Sequence, residues 1–318
     1  MPKVSINLVT WNAERFIEDC LHSVLDQTYT DYSLIIIDNG STDNTVEIIH
    51  ERFPHLNVIR HKTNLGFSKA YNQTIHWSKS DYVLILNQDV VLDPDFLSHA
   101  VAFMDQMSMC ASLTGKIYRL QENEKTKYID SLGLAIKDDF SSFDIASGEL
   151  DQNDEHEQIA EVFGVSGACA LFRRKALEEV AYQNEYFDED FFAYKEDVDL
   201  AFRLKKANWK AYYLPKAIAY HSRSARLEKV SDGFWSIIKN RRKKSKFANF
   251  YSYRNQLFLL LKNHPRPTVK NIWPVFFSEL LKFVYVLFFE IANLRAWRQL
   301  WQKWPILKAK RVLIMKNK

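Results

Sequence analysis

The feature that most limits the fold is a set of short apolar runs that do not show the alternation of a half-exposed strand. Val4–Val9 is an apolar run of strand length, and Leu34–Ile37 and Tyr82–Leu86 are continuously apolar. Because helical patterns separate these runs, they indicate parallel strands buried on both faces of a sheet. The predicted fold class is therefore α/β with a mostly parallel central sheet.

The segments between these strands predict helices. Apolar residues from Phe16 to Leu25 recur on one helical face, with Asn12 as the expected N-cap, and Ser41 or Thr42 is expected to start a helix through Ile49. The remaining predicted elements are a strand at Asn57–Arg60, a helix at Phe67–Trp77, strands at Ala160–Phe163 and Ala170–Phe172, a helix at Lys195–Ala207, strands at Trp209–Leu214 and Ile218–His221, and exposed loops at 121–127 and 149–158.

Charge divides the chain into two parts. Residues 239–318 hold 19 Lys or Arg and two acids, a net charge of +17, whereas residues 1–238 carry −13. We therefore expect one domain over 1–233 and a helical, basic and aromatic C-terminal extension over 234–318 that meets an anionic surface. The ordinary proportions of hydrophobic (47%) and charged (26%) residues exclude a disordered or collagen-like protein. Three widely spaced cysteines indicate no disulfide framework and fit a reducing compartment.

Short polar residues follow each of the first four predicted strands. They are Thr10-Trp11-Asn12, Asp38 to Asp43, Asn64-Leu65-Gly66-Phe67 and Asn87-Gln88-Asp89. Each set could simply cap a helix or form a turn. All four together, at the edge where an open α/β sheet binds ligands, favour a binding site. The glycine patterns of dinucleotide-binding and P-loop proteins are absent from the sequence.

These strand ends carry a family resemblance. V-S-I-N-L-V-T-W-N (4–12), I-I-I-D-N-G-S-T-D-N-T (35–45), N-L-G-F-S-K-A-Y-N (64–72) and L-I-L-N-Q-D-V-V-L (84–92) resemble family 2 glycosyltransferases of the GT-A fold. The third segment is similar to a signature of the rhamnosyltransferase-like branch. V-S-G-A-C-A-L-F-R-R (165–174) and F-D-E-D-F-F-A-Y-K-E-D-V-D-L-A-F-R-L (187–204) extend the resemblance over roughly residues 3–262.

The resemblance implies a site for a nucleotide-sugar donor and a divalent cation. Thr10, Asn12, Asp38 and Asn39 would hold the base and ribose, with Asp38 accepting from a pyrimidine N–H, and Asn64, Gly66, Phe67, Asn72, Asn87 and Gln88 would complete the donor site. Asp89 would bind Mg²⁺ or Mn²⁺, with His221 as a further ligand. The family's D-x-D motif has Asn87 at its first position here, which leaves fewer charges for the metal.

The resemblance also implies the groups that act on the acceptor. Asp197 would be the general base and Glu196 would orient the acceptor, while Asp199 is expected to be structural. A single carboxylate base opposite the leaving group implies inversion at the anomeric carbon. Gly167 and Ala168 would leave room for the acceptor sugar, with close packing as the alternative. Tyr194 would stack on that sugar, together with Phe191 and Phe192 unless these pack in the core. Carboxylates in the first turn of a helix are also favoured by its dipole alone.

The aromatic stretch Trp273–Trp301 is interrupted by Glu279, Lys282 and Glu290. These charges argue against a spanning helix and favour one that lies in a membrane interface, with Lys and Arg facing anionic headgroups. The alternative is a helix pair packed on the first domain. The N-terminus has no secretory signal. We therefore expect a cytoplasmic protein, peripheral on the inner face of the cytoplasmic membrane.

The sequence thus predicts a metal-dependent inverting glycosyltransferase, with dTDP-rhamnose as donor and a lipid-linked polysaccharide precursor as acceptor. One alternative uses a UDP-hexose and another glycan acceptor. A non-catalytic binder of sugar or nucleic acid is the alternative from a different class. Nucleic acid is not expected as a partner, because no nucleic-acid-binding motif accompanies the basic residues. A sugar-nucleotide pyrophosphorylase would need a glycine-rich N-terminal loop, and residues 1–12 contain no glycine.

Overall fold

The computed structural model describes residues 1–121, 124–152, 155–222, 241–242, 244–265 and 269–316. The strands are β1 (Val4–Thr10), β2 (Tyr32–Asp38), β3 (Val58–Arg60), β4 (Tyr82–Asn87), β5 (Val90–Leu92), β6 (Cys110–Gln121), β7 (Glu124–Ser131), β8 (Leu134–Ile136), β9 (Ser142–Asp144), β10 (Ala160–Val162), β11 (Cys169–Arg173) and β12 (Lys210–His221). The helices are α1 (Ile17–Leu25), α2 (Thr45–Arg52), α3 (Phe67–Trp77), α4 (Phe96–Gln106), α5 (Arg174–Val180), α6 (Glu196–Lys206), α7 (Lys246–Asn263), α8 (Val269–Phe289) and α9 (Arg295–Lys316), with 3-10 turns at Glu189–Phe191 and Ile291–Leu294. The predicted domain boundary at 233/234 lies outside the described residues.

The main sheet has the strand order β10-β12-β6-β11-β4-β1-β2-β3, and β5 and β7 pair with β12 and β6. β1 is parallel to β2 and β4, and β12 is parallel to β6. β11 runs antiparallel between β4 and β6. Six strands of the order therefore point the same way, and the predicted α/β fold with a mostly parallel sheet is confirmed.

The central strands are buried because each face of the sheet covers its own core. In β4, Leu84 and Leu86 belong to the core beneath α1 and α4, whereas Val83 and Ile85 belong to the core beneath α3 and α5. Successive side chains of a strand point to opposite faces, so both sets must be apolar. This two-sided burial explains why the strand sequence is a continuous apolar run.

Two predicted helix starts are wrong. Asn12 is not an N-cap: it has φ 51°, and α1 begins five residues later at Ile17. Likewise, α2 begins at Thr45 rather than at Ser41 or Thr42. The reason is that Asn12 and Ser41 hydrogen-bond across the gap between the β1 and β2 ends instead of capping helices.

Two other expectations are corrected in the second half of the sheet. The strands predicted at Trp209–Leu214 and Ile218–His221 form one strand, β12, whose register against β6 shifts between Leu214 and Ile218. The predicted loop at 121–127 is largely a hairpin of β6 and β7, and its residues 122–123 lie outside the described part of the chain. Pairing with β6 supplies hydrogen bonds that a polar sequence does not reveal.

Buried ion pairs attach the C-terminal helices to the segment that precedes α6. On α7, Lys262 pairs with Asp188 and lies 2.7 Å from an oxygen of Asp199. On α9, Lys310 Nζ lies 2.5 Å from Asp188 and 2.9 Å from Asp190. The two lysines counter the effect of burial and hold the pKa of Asp188 well below its usual range. Charges buried this deeply need such partners, so the ion pairs fix the helices to this segment.

In contrast, α8 is largely exposed. Ile272–Phe289 has a mean hydropathy of 1.7 with 6% of the window buried, and by length and composition it could cross a membrane. The window contains Glu279 and Lys282, two of the charges from which an interfacial helix is expected. Eight exposed apolar residues follow helical spacing and form an apolar stripe on α8: Trp273, Phe276, Phe277, Leu280, Leu281, Val284, Leu287 and Phe288. Ile272 and Phe289, near the ends of the helix, are exposed outside this stripe. The opposite side carries Ser278, which donates to Asp139 at 2.7 Å, and the Glu279–Lys282 ion pair.

Replacing the buried lysine of α9 should destabilise the protein. Lys310→Met would leave Asp188 and Asp190 short of a buried countercharge, and we expect the free energy of unfolding to fall by about 3–5 kcal/mol. Urea unfolding measures this loss. Lys308→Met, a change of the same kind at an exposed position of the same helix, is the control and should have little effect. Equal unfolding midpoints for the two variants would contradict a stabilising role for the ion pairs.

Candidate active site

The ends of β1 and β2 are joined through their backbones. The N–H of Asn39 donates to the carbonyl of Thr10 at 2.7 Å, and both residues are buried. The Asp38 carboxylate is fully buried, accepts from the N–H of Ser41 at 3.2 Å and lies 3.5 Å from Arg60 Nε. Because this carboxylate is fully buried, a pyrimidine can reach it only if neighbouring groups move.

Two other residues of the predicted nucleotide-sugar site, Asn12 and Gln88, also form hydrogen bonds within the protein. Asn12 accepts from the N–H of Thr42 at 2.9 Å through its side chain. The Gln88 amide pairs with the backbone of Trp11, accepting at 3.0 Å and donating at 3.3 Å. These bonds tie the β1 end to the β2 and β4 ends, so the polar residues after three strands lie along one edge.

The loop after β3 is held against the β2 end by side-chain amides. Asn39 donates to Asn64 Oδ1 at 3.1 Å and accepts from the N–H of Leu65 at 3.0 Å. Gly66 has φ +84°, and a Cβ at this position would lie 2.6 Å from the ring of Phe192. Both the left-handed backbone and the close approach therefore require glycine at this turn.

The α3 residues Phe67 and Asn72 have different surroundings. A Cβ on Gly167 would lie 2.8 Å from the Phe67 ring, so Phe67 and Gly167 are in close contact. Asn72 is buried and bonds to both backbone groups of Phe187, donating at 2.8 Å and accepting at 2.9 Å. In this conformation the Asn72 amide holds the segment before α6 and does not face an open site.

The β4 end combines three half-buried residues, Asn87, Gln88 and Asp89. The N–H of Asn87 donates to the carbonyl of Ala168 at 2.8 Å, and the Asn87 side chain accepts from Tyr71 at 3.3 Å. Asp89 Oδ1 lies 3.4 Å from His221 Nε2, and His221 Nδ1 lies 2.8 Å from Asp130 Oδ2. The residues predicted to hold the metal are thus neighbours.

This pair fits a divalent cation chemically. A carboxylate at the second imidazole nitrogen is typical of metal-ligating histidines, because it orients the ring. Burial opposes protonation of the ring, but Asp89 and Asp130 outweigh burial and raise the pKa of His221 to about 10. A cation that binds Nε2 must therefore displace a proton. Within the described residues no group of three or more His, Cys, Asp or Glu could hold the ion alone, so a diphosphate and water would have to supply further ligands.

The first turn of α6 presents two carboxyl groups with perturbed acidity. Asp197 accepts from the N–H of Gly167 at 3.1 Å and from its neighbour Val198 at 2.8 Å. Burial raises the pKa of Asp197 despite these two bonds. Burial and the Asp197 charge raise the pKa of Glu196 well above its usual range, and Glu196 Oε2 has no hydrogen-bond partner among the described residues. Such groups are typical of functional sites.

The other predicted acceptor-side residues lie nearby in sequence but differ in exposure. Tyr194 is exposed and its ring lies 6.4 Å from that of Phe247 on α7. Ala168 is buried and faces Asn87 through its carbonyl. Asp199 is fully buried between Arg203 and Lys262, in agreement with the structural role expected for it.

The described contacts connect the predicted residues in a chain. Asn39 reaches the Gly66 turn, Phe67 contacts Gly167, and Gly167 bonds to Asp197. Ala168, the next residue, bonds to Asn87 at the β4 end. A cavity of about 390 Å³ near α1 and β5 has none of these residues in its lining.

The sequence interpretation missed three residues that support this site. Asp130 at the end of β7 orients His221, and Arg254 and Asn255 on α7 bond to the backbone just before α6. Two signals in the sequence point to these residues. Asp130 follows an apolar residue in β7, and Arg254 and Asn255 begin an R-N-Q run in a helix that is otherwise aromatic and apolar.

Two relatives with named activities align with about two thirds of the chain. It is 30% identical over 237 residues to the N-acetylglucosaminyl-diphospho-decaprenol L-rhamnosyltransferase of Mycobacterium tuberculosis, covering 68% of this chain and 75% of the relative. It is 27% identical over 230 residues to the poly-beta-1,6-N-acetyl-D-glucosamine synthase of Staphylococcus epidermidis, covering 68% of this chain and 49% of that protein. The chain thus spans about half the length of the second relative.

Solved structures share the fold at low sequence identity. The S. aureus TarS 1-349 complex with UDP-GlcNAc has a TM-score of 0.58 and 18% identity, covering 93% of this chain and 78% of that one. The mannosyltransferase PcManGT from Pyrobaculum calidifontis, in complex with GDP-Man and Mn²⁺, has a TM-score of 0.54 and 13% identity, covering 99% and 86%. These likenesses confirm the GT-A fold. Residues 5–181 match the family described as Glycosyl transferase family 2, which is more than half of the chain, and the chain therefore belongs to this family of glycosyltransferases.

Proposed function

We propose that the protein is a metal-dependent inverting transferase that moves rhamnose from dTDP-rhamnose to a hydroxyl group of a lipid-linked polysaccharide precursor. The observation that carries this proposal is the Asp197 carboxylate. It has a raised pKa and is bonded to Gly167, beside the polar strand ends. The similarity to a rhamnosyltransferase whose name specifies a lipid-linked acceptor supports the transferred sugar and the acceptor class. Family membership argues against the non-catalytic alternative.

The reaction needs a base on the acceptor side of the sugar. The acceptor hydroxyl gives its proton to Asp197 while its oxygen forms a bond to the anomeric carbon. The bond from that carbon to the diphosphate breaks, and the nucleoside diphosphate leaves with the electron pair. Because the hydroxyl attacks opposite the leaving group, the configuration inverts. A raised pKa improves Asp197 as a base, and general-base catalysis typically contributes about 10²–10⁴-fold.

Backbone donors fix the direction of this base. The N–H groups of Gly167 and Val198 bond to different oxygens of Asp197, so the carboxylate cannot rotate freely. Gly167 also contacts Phe67, which is expected to border the donor sugar. We therefore place the attacking hydroxyl between Asp197 and the Phe67 side of the site, with Glu196 and Tyr194 on the acceptor side.

Asp89 and His221 would hold the divalent cation, with Asn87 as a neutral neighbour. When bound, Mg²⁺ or Mn²⁺ neutralises charge that develops on the departing diphosphate. The protein's own contribution is one carboxylate oxygen and one imidazole nitrogen oriented by Asp130.

The exposed stripe on α8 supports peripheral attachment to an anionic membrane surface. The polar residues of α8, Ser278, Glu279 and Lys282, form their bonds on the other side of the helix. The apolar stripe is therefore the side that can enter lipid. A helix with this division lies in the interface with its apolar face in the acyl boundary. The net +17 charge of residues 239–318 suits anionic headgroups. An acceptor carried on lipid would then be presented at the cytoplasmic surface.

Donor and metal can be tested together by thermal shift with a panel of nucleotide-sugars. We expect dTDP-rhamnose to raise the melting temperature more than UDP-hexoses, and Mg²⁺ or Mn²⁺ to increase that effect. Asp89→Ala should lose only the metal-dependent part of the thermal shift, because it removes one ligand of the ion and no contact with the nucleobase. Asp93→Ala is the control, since this nearby carboxylate bonds to the backbone of Asp95. A larger shift with a UDP-hexose would favour the alternative donor, and no effect of EDTA on the wild type would contradict the metal assignment.

Removing the base should separate catalysis from donor binding. We expect Asp197→Asn to lower kcat by at least about 10²-fold, because the amide cannot take the proton, with donor affinity near that of the wild type. Turnover in a transfer assay and donor titration measure the two effects. Asp199→Asn is a poor comparison because it breaks a buried ion pair. Asp81→Asn is the control, because this exposed carboxylate precedes β4, at the end of the strand opposite the polar edge. Wild-type turnover by Asp197→Asn would exclude Asp197 as the base.

Membrane attachment can be tested by cosedimentation with anionic vesicles. The combined change Phe277→Ser, Leu281→Ser and Phe288→Ser should lower the fraction bound by about tenfold, because it removes apolar area from the stripe. Ile59→Ser, Trp77→Ser and Met109→Ser, combined in the same way, alter exposed apolar residues elsewhere and form the control. Equal pelleting of the two variants would contradict the proposal. Wild-type protein that resists alkaline extraction would instead indicate a helix that crosses the membrane.

A further inference from the structure

We propose that Asn255 on α7 is a positioning residue that sets the location of the base Asp197. It acts through the base-bearing segment, residues 191–197, which runs from the 3-10 turn into the first turn of α6. This inference rests on the proposed function, because it assumes that Asp197 takes the acceptor proton.

The Asn255 side chain is fully buried and bonds to three carbonyl groups of the base-bearing segment. Its Nδ2 lies 2.9 Å from the carbonyl oxygen of Phe191, 2.8 Å from that of Ala193 and 2.6 Å from that of Tyr194. The two hydrogens of the amide are therefore shared among three acceptors. Its Oδ1 accepts from Arg254 Nε at 2.9 Å. Because a guanidinium can only donate, this bond fixes the amide with its nitrogen towards the segment. A single side chain therefore holds three backbone groups immediately before Glu196.

The base-bearing segment needs outside support because its backbone is strained. Phe192, Tyr194 and Lys195 have φ values of 64°, 70° and 70°. Side chains of this size rarely adopt left-handed backbone conformations, and each instance costs about 1–3 kcal/mol unless the surroundings stabilise it. Without the Asn255 bonds, the segment would relax towards ordinary φ values and carry Asp197 with it.

Residues of α3, next to the expected donor site, also contact the base-bearing segment or the residues just before it. The carbonyl of Phe192 accepts from the N–H of Ser68 at 3.2 Å, at the start of α3. Asn72 bonds to Phe187, just before the segment. The segment therefore lies between α3, next to the expected donor site, and α7. Loss of the α7 contact leaves the α3 contacts in place, so it should affect the base more than the donor.

A displacement of this kind is costly for catalysis. Moving a reacting group by about 1 Å can lower the rate about 10²-fold. Asp197 is two residues beyond the last of the strained positions, and its own bonds go to Gly167 and Val198. Only the bond to Gly167 reaches another segment, so the path of the backbone from Phe191 also contributes to where the carboxylate lies.

The test compares two neighbouring amides on α7. Asn255→Asp keeps the size of the side chain but replaces the donor that faces three carbonyls with an acceptor. Gln256→Glu makes the same chemical change at the next residue, which is also buried but donates to Phe140, at 3.2 Å, outside the base-bearing segment. We expect Asn255→Asp to lower kcat at least about tenfold, with nucleotide affinity within about threefold of the wild type and kcat of Gln256→Glu little changed.

Asn255→Ala provides a second variant, because water can then reach the three carbonyls and a folded protein is expected. A kcat for both Asn255 variants within threefold of the wild type, or an equal loss in Gln256→Glu, would overturn the inference. Failure of both Asn255 variants to fold while the Gln256 variant folds would also overturn it, as that outcome indicates a structural role. An active Asp197→Asn would instead contradict the proposed function, so the two failures are distinguishable.

Discussion

Burial of the central strands on both faces is the constraint on which the rest of the structure depends. Since β1 and β4 lie between two cores, polar side chains along them are costly unless they are bonded, and polar residues gather where the strands end. Parallel strands end at the same edge, so strand pairing alone brings Thr10, Asp38 and Asn87 to one edge of the sheet. The proposed donor site lies at this edge.

Ion pairs play a comparable organising role in the second half of the molecule. Asp188, Asp190 and Asp199 lie on both sides of the base-bearing segment and are neutralised by Lys262 and Lys310 from the C-terminal helices. Neither set of charges would be stable in a buried position without the other. The basic C-terminal sequence is therefore divided between lysines that complete the interior and others that remain exposed, which the net charge alone does not reveal.

The sequence predicts the first four strands and α3 well because burial pattern and local preference agree there; Phe67–Trp77 matches at both ends. It predicts less well where a residue has two competing uses. Asn12 can cap a helix or join two loops, and only the position of Ser41 and Thr42 in three dimensions selects the second. The roles of Asp130 and Asn255 depend on contacts to residues about 90 and about 60 positions away in the chain, for which a single sequence has no local pattern.

The approach of Gly66 to Phe192 has a consequence for communication across the site. These residues belong to the donor-side loop and to the turn before the base, and a Cβ on Gly66 would overlap the aromatic ring. Only a hydrogen atom separates the two halves at this point. Close-packed atoms transmit strain rather than absorb it, so a filled donor pocket that pushes on the loop also pushes on the turn. A ligand that moves the loop at Gly66 would therefore also move the turn that precedes Asp197.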